Sequence, residues 1–169
     1  GLSKGGMVGQ RLATRNPERL HAAVLCATSS YMGPANLWQQ RIDAARAGGM
    51  QSISDGTLER WFTPGYHDTH LSEISKIREM IHATPVDGFA GCCIAIKDMD
   101  QRETIKTIDL PVLVIAGAED PGTTPAMNKL IADSIPGAEY IELPASAHFC
   151  NVQAADGFNA TLADFLLKH

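Results

Sequence analysis

The sequence predicts an α/β fold in which helices flank a parallel β-sheet. Three short apolar runs, residues 22–27, 112–117 and 139–143, are typical of buried strands. Amphipathic helical patterns occur between these runs and after the last one, and strands that alternate with helices pair in parallel. The chain has 169 residues, of which 44% are hydrophobic and 20% charged, so it is long enough to bury a core of this kind.

The helices of this sheet protein can be placed in order along the chain. Residues 4–15 have apolar side chains at helical spacing and Asn16-Pro17 ends the pattern, which predicts a helix before the first strand. Residues 125–135 and 152–167 carry apolar stripes that predict two further helices. The stripes consist of Met127, Leu130, Ile131 and Ile135, and of Val152, Phe158, Leu162, Phe165 and Leu166.

A helical insertion separates the first strand from the second. Residues 34–109 contain no convincing β-run, and glycine and proline pairs divide them into four stretches with an apolar helical face. We therefore expect a core made of residues 1–33 and 110–169, with residues 34–109 forming a helical cap. The four patterns are Leu37-Trp38-Arg41-Ile42-Ala45, Leu58-Trp61-Phe62, Ile74-Ile77-Met80-Ile81 and Phe89-Cys92-Cys93-Ile96.

The charge of the chain argues against several classes of function. Lys and Arg number 14 against 19 Asp and Glu, so the net charge of -5 provides no general attraction to nucleic acid or to an anionic membrane. No stretch approaches the roughly 18 consecutive apolar residues of a membrane span, and the N-terminus lacks the regions of a signal peptide. We expect a soluble cytoplasmic protein without a nucleic-acid or membrane partner.

The four cysteines do not form a recognisable disulfide or metal pattern. Cys26, Cys92, Cys93 and Cys150 are irregularly spaced, and two of them are adjacent. The chain is also long enough to fold without disulfides. We expect four free thiols packed as small apolar side chains, with Cys150 packing rather than reacting as a nucleophile.

The histidine cluster His67-Asp68-x-His70 resembles a metal site only superficially. It lies in a polar stretch before a helical pattern, where Asp68 or Thr69 would serve as an N-cap. The sequence therefore predicts no metal and no cofactor.

A possible nucleophile lies at the start of the chain, where Gly1-Leu2-Ser3-Lys4-Gly5 fits the pattern G-x-S-x-G. A serine on a tight turn between a strand and a helix has strained backbone angles, and the motif places small residues two positions before and after it. Such a turn lifts the Ser3 hydroxyl above the helix N-terminus and presents the Lys4 backbone N–H to an oxyanion. The motif also occurs by chance as an ordinary Gly-Ser turn, so the rest of the chain must support the interpretation.

A serine nucleophile needs a base and an orienting carboxylate, and both residue types follow later strands in the required order. Asp120 comes directly after the second strand, and His148 lies beyond the third strand and before the last helix. Both therefore lie outside the carboxyl ends of strands, where α/β sheets bind their ligands. Glu119 is the alternative orienting group, but Asp120 is favoured because Asp-Pro closes the loop against the following helix.

With these residues in place the sequence resembles the α/β-hydrolase family, and more narrowly the 3-oxoadipate enol-lactonases of the β-ketoadipate pathway. The likeness covers essentially the whole chain. The motifs around Ser3, Asp120 and His148 are weakly specific. The segments of the cap are more specific, because caps vary most between hydrolase families. The segments that carry it are residues 1–10, 38–42, 46–50, 58–64, 88–93, 98–100 and 115–120.

The resemblance implies a serine hydrolase that opens a small enol-lactone in the catabolism of aromatic compounds. Ser3 would attack the lactone carbonyl, His148 would transfer the proton, Asp120 would hold the imidazole, and the Lys4 N–H would share the oxyanion. The alternatives are a carboxylesterase or a cofactor-free haloperoxidase on the same scaffold, or an inactive fragment.

The implied substrate carries a carboxylate, so the resemblance calls for a cationic group in the cap. Arg41 beside Trp38 and Arg60 beside Trp61 are the candidates, although either arginine could instead cover helix packing at the surface. We expect Trp38 or Trp61 to reach the pocket wall.

The chain departs from the resembled family at its beginning. In that family the turn that carries the nucleophilic serine is preceded by several strands. These include the strand that leads to the serine, and a loop among them supplies the second oxyanion donor. A three-stranded sheet would expose a long edge, which favours aggregation. We therefore expect this chain to be a piece of a longer polypeptide, whose N-terminal segment would be its partner.

Overall fold

The computed structural model describes all of residues 1–169. The chain forms two compact units, one made of Gly1–Ser30 with Asp100–His169 and the other of Tyr31–Met99. The first unit contains the sheet, and the second is helical. The helices are α1 (Lys4–Arg15), α2 (Ala35–Gly48), α3 (Gln51–Trp61), α4 (Pro64–Thr69), α5 (Leu71–Ala83), α6 (Val86–Lys97), α7 (Pro125–Ser134), α8 (Cys150–Gln153) and α9 (Ala155–Lys168).

The sheet of the first unit has three parallel strands in the order in which they occur in the chain. They are β1 (Ala23–Cys26), β2 (Val112–Gly117) and β3 (Glu139–Leu143). At the free side of β1, Leu2 forms a parallel bridge with Cys26, so the segment before Ser3 runs in the same direction as the strands. The predicted strands and their parallel pairing are confirmed, and all carboxyl ends lie at one edge.

Each face of the sheet buries its own apolar cluster. One cluster combines residues of α1, β1, β2 and α7 with Ile105 and Ile108. The other combines Cys26, Leu113, Ile115 and Leu143 with Cys150 and Phe165 of α8 and α9. A parallel sheet needs both faces covered, and the hydrophobic runs of β1 and β2 agree with that position.

The helical stripes predicted from sequence are wrong at individual positions. Leu130 of α7 is 46% exposed, whereas Asn128 on the same helix is completely buried. Residues 128, 131, 132 and 135 lie at the spacing i, i+3, i+4 and i+7 and form the buried side. In α9 the predicted stripe holds at Phe165 but fails at Leu166, which is 58% exposed.

The second unit consists of five helices. Its four predicted patterns fall on α2, α3, α5 and α6, and the additional short helix α4 occupies the polar stretch that the sequence suggested was a loop. His70 is the N-cap residue of α5, so the N-cap prediction at Asp68 or Thr69 is wrong. Ile42, Ala90 and Cys93 form a core between α2 and α6, with Trp38 packed against it.

The units divide at Ser30 and Met99, whereas the sequence placed the second boundary at Asp109. Gln101 donates its backbone N–H to the Ser30 carbonyl over 2.8 Å, and Ile105 and Ile108 are buried against the sheet. These contacts explain why residues 100–109 belong to the first unit. No helix of the chain is both long and apolar enough to cross a membrane.

Candidate active site

Asp120 lies in the loop after β2, and its carboxylate is completely surrounded by donors. Oδ1 accepts the backbone N–H groups of Gly122 at 2.8 Å and Thr123 at 3.0 Å. Oδ2 accepts the Thr123 hydroxyl at 2.7 Å. Because the Asp120 side chain is buried, these three hydrogen bonds replace the hydration that an ionised carboxylate loses. They also hold its second oxygen in one direction.

That second oxygen faces His148. The Nδ1 atom of His148 lies 2.7 Å from Oδ2 of Asp120, and the histidine is only 7% exposed. A carboxylate accepts the hydrogen bond, so Nδ1 is the ring nitrogen that donates to Asp120, and Nε2 lies on the other side of the ring. Glu119, the alternative orienting residue, is exposed. The structure thus brings together Asp120 and His148 rather than Glu119 and His148.

The loops that carry these two residues are joined through their backbones. Ala118 donates to the Leu143 carbonyl at 3.0 Å, and Glu119 donates to the Ser146 carbonyl at 2.9 Å. At Gly117 an added Cβ would lie 2.0 Å from the Ala147 carbonyl oxygen. Only glycine at this strand end therefore allows the loop that carries His148 (the histidine loop) to approach the loop that carries Asp120 (the acid loop) closely.

Ser3 lies at the same edge of the sheet, at the turn between the bridge to β1 and helix α1. Its backbone angles are φ 52° and ψ -117°, a strained region that costs on the order of 1–3 kcal/mol for a residue other than glycine. Its N–H donates to the Cys26 carbonyl at 2.8 Å, and its carbonyl accepts the Met7 N–H at 3.1 Å. Its side chain makes no capping hydrogen bond with α1, so helix capping does not occupy the hydroxyl.

Of the two glycine positions that the motif suggested around Ser3, the structure requires a small residue at Gly1 but not at Gly5. An added Cβ at Gly1 would lie 2.3 Å from the Gly5 carbonyl oxygen, and one at Gly6 would lie 2.7 Å from Cβ of Thr28. At Gly5 nothing lies within 4 Å. The tight contacts therefore involve Gly1 and Gly6, and the expectation that the position two after Ser3 must be small is wrong.

Two thiols lie beneath this edge. The Sγ atoms of Cys26 and Cys150 are 3.5 Å apart, and both residues are buried in the apolar cluster that contains Leu2. The hydrogen bond between Cys26 and Cys150, together with burial, raises the pKa of the Cys26 thiol. All four cysteines are free, as the sequence predicted, and Cys26, Cys93 and Cys150 are buried.

The cap residues predicted to contact a substrate belong to the second unit. The Trp38 indole donates to the Met32 carbonyl at 2.7 Å, and the Arg41 guanidinium lies 5.2 Å from the centre of the Trp38 ring. Burial and, to a smaller extent, the neighbouring Arg60 lower the pKa of Arg41. Trp61 lies on α3 and is half-buried. A role of these residues in substrate binding stays a prediction.

The histidine cluster of the second unit has structural contacts. A ring nitrogen of His67 lies 3.0 Å from the Leu58 carbonyl oxygen, and the His70 ring stacks on Tyr66 at 3.9 Å. The chain contains no group of three or more His, Cys, Asp or Glu side chains that could hold a metal ion.

Sequence reasoning missed three buried polar residues of the first unit, namely Thr28, Thr123 and Asn128. Thr123 had a local signal, since a hydroxyl three residues after an aspartate in Asp-Pro-Gly-Thr is typical of a side-chain-capped turn. Thr28 and Asn128 had none, because the bond that joins them links residues 100 positions apart in the chain.

Comparison with known proteins places this fold in a class. No family model matches the chain. The enol-lactonase from Burkholderia xenovorans LB400, a solved structure, superposes with a TM-score of 0.96 at 38% identity, over 99% of this chain and 64% of that one. The first unit, with its strand-turn-helix at Ser3 and its loops after β2 and β3, has the α/β-hydrolase fold.

Among curated sequences the chain resembles the 3-oxoadipate enol-lactonases. 3-Oxoadipate enol-lactonase 2 of Acinetobacter baylyi is 36% identical over 159 residues, which are 94% of this chain and 59% of that protein. 3-Oxoadipate enol-lactonase 1 of the same organism is 25% identical over 98% of this chain and 62% of its own length. The chain thus spans about three-fifths of the length of these relatives.

Proposed function

We propose that this chain carries the catalytic residues of a serine hydrolase that opens a small, carboxylated enol-lactone. Ser3 is the nucleophile, His148 the general base and acid, and Asp120 the residue that orients the imidazole. The observation that supports this most directly is the buried contact of 2.7 Å between Asp120 and His148, on loops that follow consecutive parallel strands. A buried aspartate that fixes the histidine tautomer is what a serine nucleophile requires of its base.

The reaction runs in two halves. Nε2 of His148 removes the hydroxyl proton while Oγ of Ser3 bonds to the lactone carbonyl carbon. When the ring C–O bond breaks, the enolate oxygen leaves and takes that proton, and the enol becomes a ketone. Water then attacks the acyl-enzyme with His148 again as the base, which releases a linear oxoacid and restores Ser3.

The oxyanion of both tetrahedral intermediates is stabilised by the Lys4 backbone N–H. This group belongs to the first turn of α1, where N–H groups point out of the helix and the helix dipole favours negative charge. Such a donor typically contributes about 10²–10³-fold to the rate.

We further propose that Trp38, Arg41 and Trp61 contact the substrate. Arg41 is partly desolvated, and a desolvated guanidinium binds a carboxylate more strongly than a hydrated one. The indoles would supply apolar contact for the lactone ring. Action in the β-ketoadipate pathway belongs to the same proposal and follows from the resemblance. The cytoplasmic location expected from the sequence belongs to it as well.

The proposal can be tested in two steps with the native protein, purified from the organism that produces it. A fluorophosphonate should label Ser3, and the label should be absent in Ser3→Ala, as located by peptide mass spectrometry. The wild type should hydrolyse 3-oxoadipate enol-lactone faster than simple carboxylic esters. The loss of the ultraviolet absorbance of the lactone measures the rate. Labelling without preference for the lactone would favour a general carboxylesterase. The absence of both labelling and hydrolysis would refute the proposal.

A further inference from the structure

A chain of buried hydrogen bonds connects the turn at Ser3 with the acid loop. The Thr28 hydroxyl donates to the Ser3 carbonyl at 2.7 Å, and the Thr28 N–H donates to Oδ1 of Asn128 at 2.9 Å. Nδ2 of Asn128 donates to the carbonyls of Thr123 at 2.9 Å and Thr124 at 3.1 Å. The Thr123 hydroxyl completes the chain at Oδ2 of Asp120.

The side chains that link this chain of bonds, those of Thr28, Thr123 and Asn128, are buried and matched in their hydrogen bonds. Thr28 and Asn128 are 0% exposed, and Thr123 is 2% exposed. The Asn128 amide has one acceptor bond and two donor bonds here, each with a partner of the complementary kind. These hydrogen bonds restrict the orientation of the Asn128 side chain, because any other orientation would leave a polar atom unsatisfied in the interior, which is costly.

The bond from Thr28 constrains the proposed oxyanion donor. The Ser3 carbonyl and the Lys4 N–H belong to one planar peptide, in which the two bonds point in opposite directions. The Thr28 hydroxyl and the Met7 N–H both hold that carbonyl from the interior. They therefore set the direction in which the Lys4 N–H points on the opposite side of the peptide.

The position of Thr28 depends in turn on the end of β1. The Cys26 carbonyl accepts the Ser3 N–H, and Ala27 has a positive φ of 42°. Because of the left-handed turn at Ala27, the Cys26 carbonyl before it accepts the Ser3 N–H, and the Thr28 hydroxyl after it donates to the Ser3 carbonyl. Asn128 then holds the Thr28 N–H from α7.

We infer that Thr28 and Asn128 are positioning residues, which hold the Ser3–Lys4 peptide and the Asp120 loop in register with each other. The inference rests on the proposed function of Ser3 and Lys4. Both residues are 0% exposed, so they would act on the reaction through the groups they hold rather than by contact with the substrate. Their effect should appear in stabilisation of the transition state rather than in ground-state binding.

The test compares Thr28→Val with Thr28→Ser in the protein as its host makes it. Valine keeps the shape but cannot donate to the Ser3 carbonyl, whereas serine keeps the hydroxyl. We expect Thr28→Val to lower kcat about 10- to 100-fold with KM nearly unchanged, a part of the effect of losing an oxyanion donor. Affinity for a trifluoromethyl ketone, whose adduct with Ser3 carries an oxyanion, should fall by a similar factor. Thr28→Ser should restore both to within a few fold.

Asn128→Ala examines the connection itself. If Thr28 and Asn128 act through the same peptide, the double variant Thr28→Val/Asn128→Ala should have a kcat close to that of the slower single variant. Independent effects would multiply. Ala132→Gly is the matched control, since it loosens the same helix α7 without touching the chain of bonds. It should lower the melting temperature but leave kcat and inhibitor affinity unchanged.

The outcomes separate this inference from the proposed function. A wild type that is not labelled at Ser3 and hydrolyses no ester would overturn the proposed function. An active wild type whose Thr28→Val variant keeps full kcat and inhibitor affinity would overturn the positioning role alone. So would an equal loss of kcat in Ala132→Gly, because the effect would then follow general stability.

Discussion

At the scale of single residues, the site depends on how Asp120 is held. The carboxylate receives two backbone N–H groups and one hydroxyl from its own loop, and the oxygen that accepts the hydroxyl also faces His148. Its neighbour Glu119 is exposed and contributes only its backbone to the loop. The two adjacent acids therefore differ in the direction of their side chains, since Asp120 faces His148 and Glu119 faces solvent.

Asp120→Asn is expected to lower kcat by about 10⁴-fold, because an amide can present its N–H to Nδ1 and stabilise the wrong histidine tautomer. Steady-state kinetics with a chromogenic ester would measure it. Glu119→Gln is the matched control, an exposed substitution of the same kind that should leave kcat within about twofold. Equal losses in the two variants would contradict the assignment of the acid.

At the scale of elements, two glycines allow the segments around the site to approach each other closely. Gly117 ends β2 against the histidine loop, and Gly6 lies in the first turns of α1 against Thr28. Gly117 permits a close approach of the Ala147 backbone, and Gly6 leaves room for the Thr28 side chain. The helix α1, the acid loop and the histidine loop therefore meet at distances that larger residues would prevent.

The two glycines after Ser3 should respond differently to alanine. Gly6→Ala places a Cβ against Thr28, so we expect a loss of about 1–3 kcal/mol of stability and reduced activity. Gly5→Ala meets no atom within 4 Å, and alanine favours a helix over glycine, so stability should be unchanged or higher by up to about 1 kcal/mol. Urea unfolding of both variants measures this, and a greater loss for Gly5→Ala would show that the packing around Ser3 is different.

At the scale of the whole molecule, the two units have separate apolar cores. In the first unit the faces of the sheet bury two clusters, one of which is closed by Phe165 on α9. In the second unit, Ile42, Ala90 and Cys93 form a core between α2 and α6. Each unit thus buries apolar residues among its own elements.

Phe165→Ala should reduce the free energy of unfolding by about 3–5 kcal/mol, since the ring is 2% exposed and its removal leaves a cavity. Leu167→Ala, two residues further along α9, changes a side chain that is 87% exposed, and is expected to matter by no more than about 0.5 kcal/mol. Chemical denaturation of the two variants provides the comparison. Similar losses would contradict the packing of α9 against the sheet.

Sequence alone determined the features that depend on local periodicity and on chain order. The apolar runs predicted three strands, their alternation with helices predicted parallel pairing, and the order Ser3, Asp120, His148 predicted three side chains at one sheet edge. These predictions need only the rule that parallel strands end at the same edge.

Only the tertiary structure decided which polar residues support that edge. Asn128 lies in a helical stripe between apolar residues, and no neighbour in sequence indicates that its amide binds Thr28, 100 residues away. In the same way, the motif around Ser3 did not show that Gly6 rather than Gly5 must be small, because the atoms that exclude a side chain belong to Thr28. Periodicity records which side of an element is buried, whereas a buried hydrogen bond depends on where a distant segment crosses it, and that is settled only when the whole chain packs.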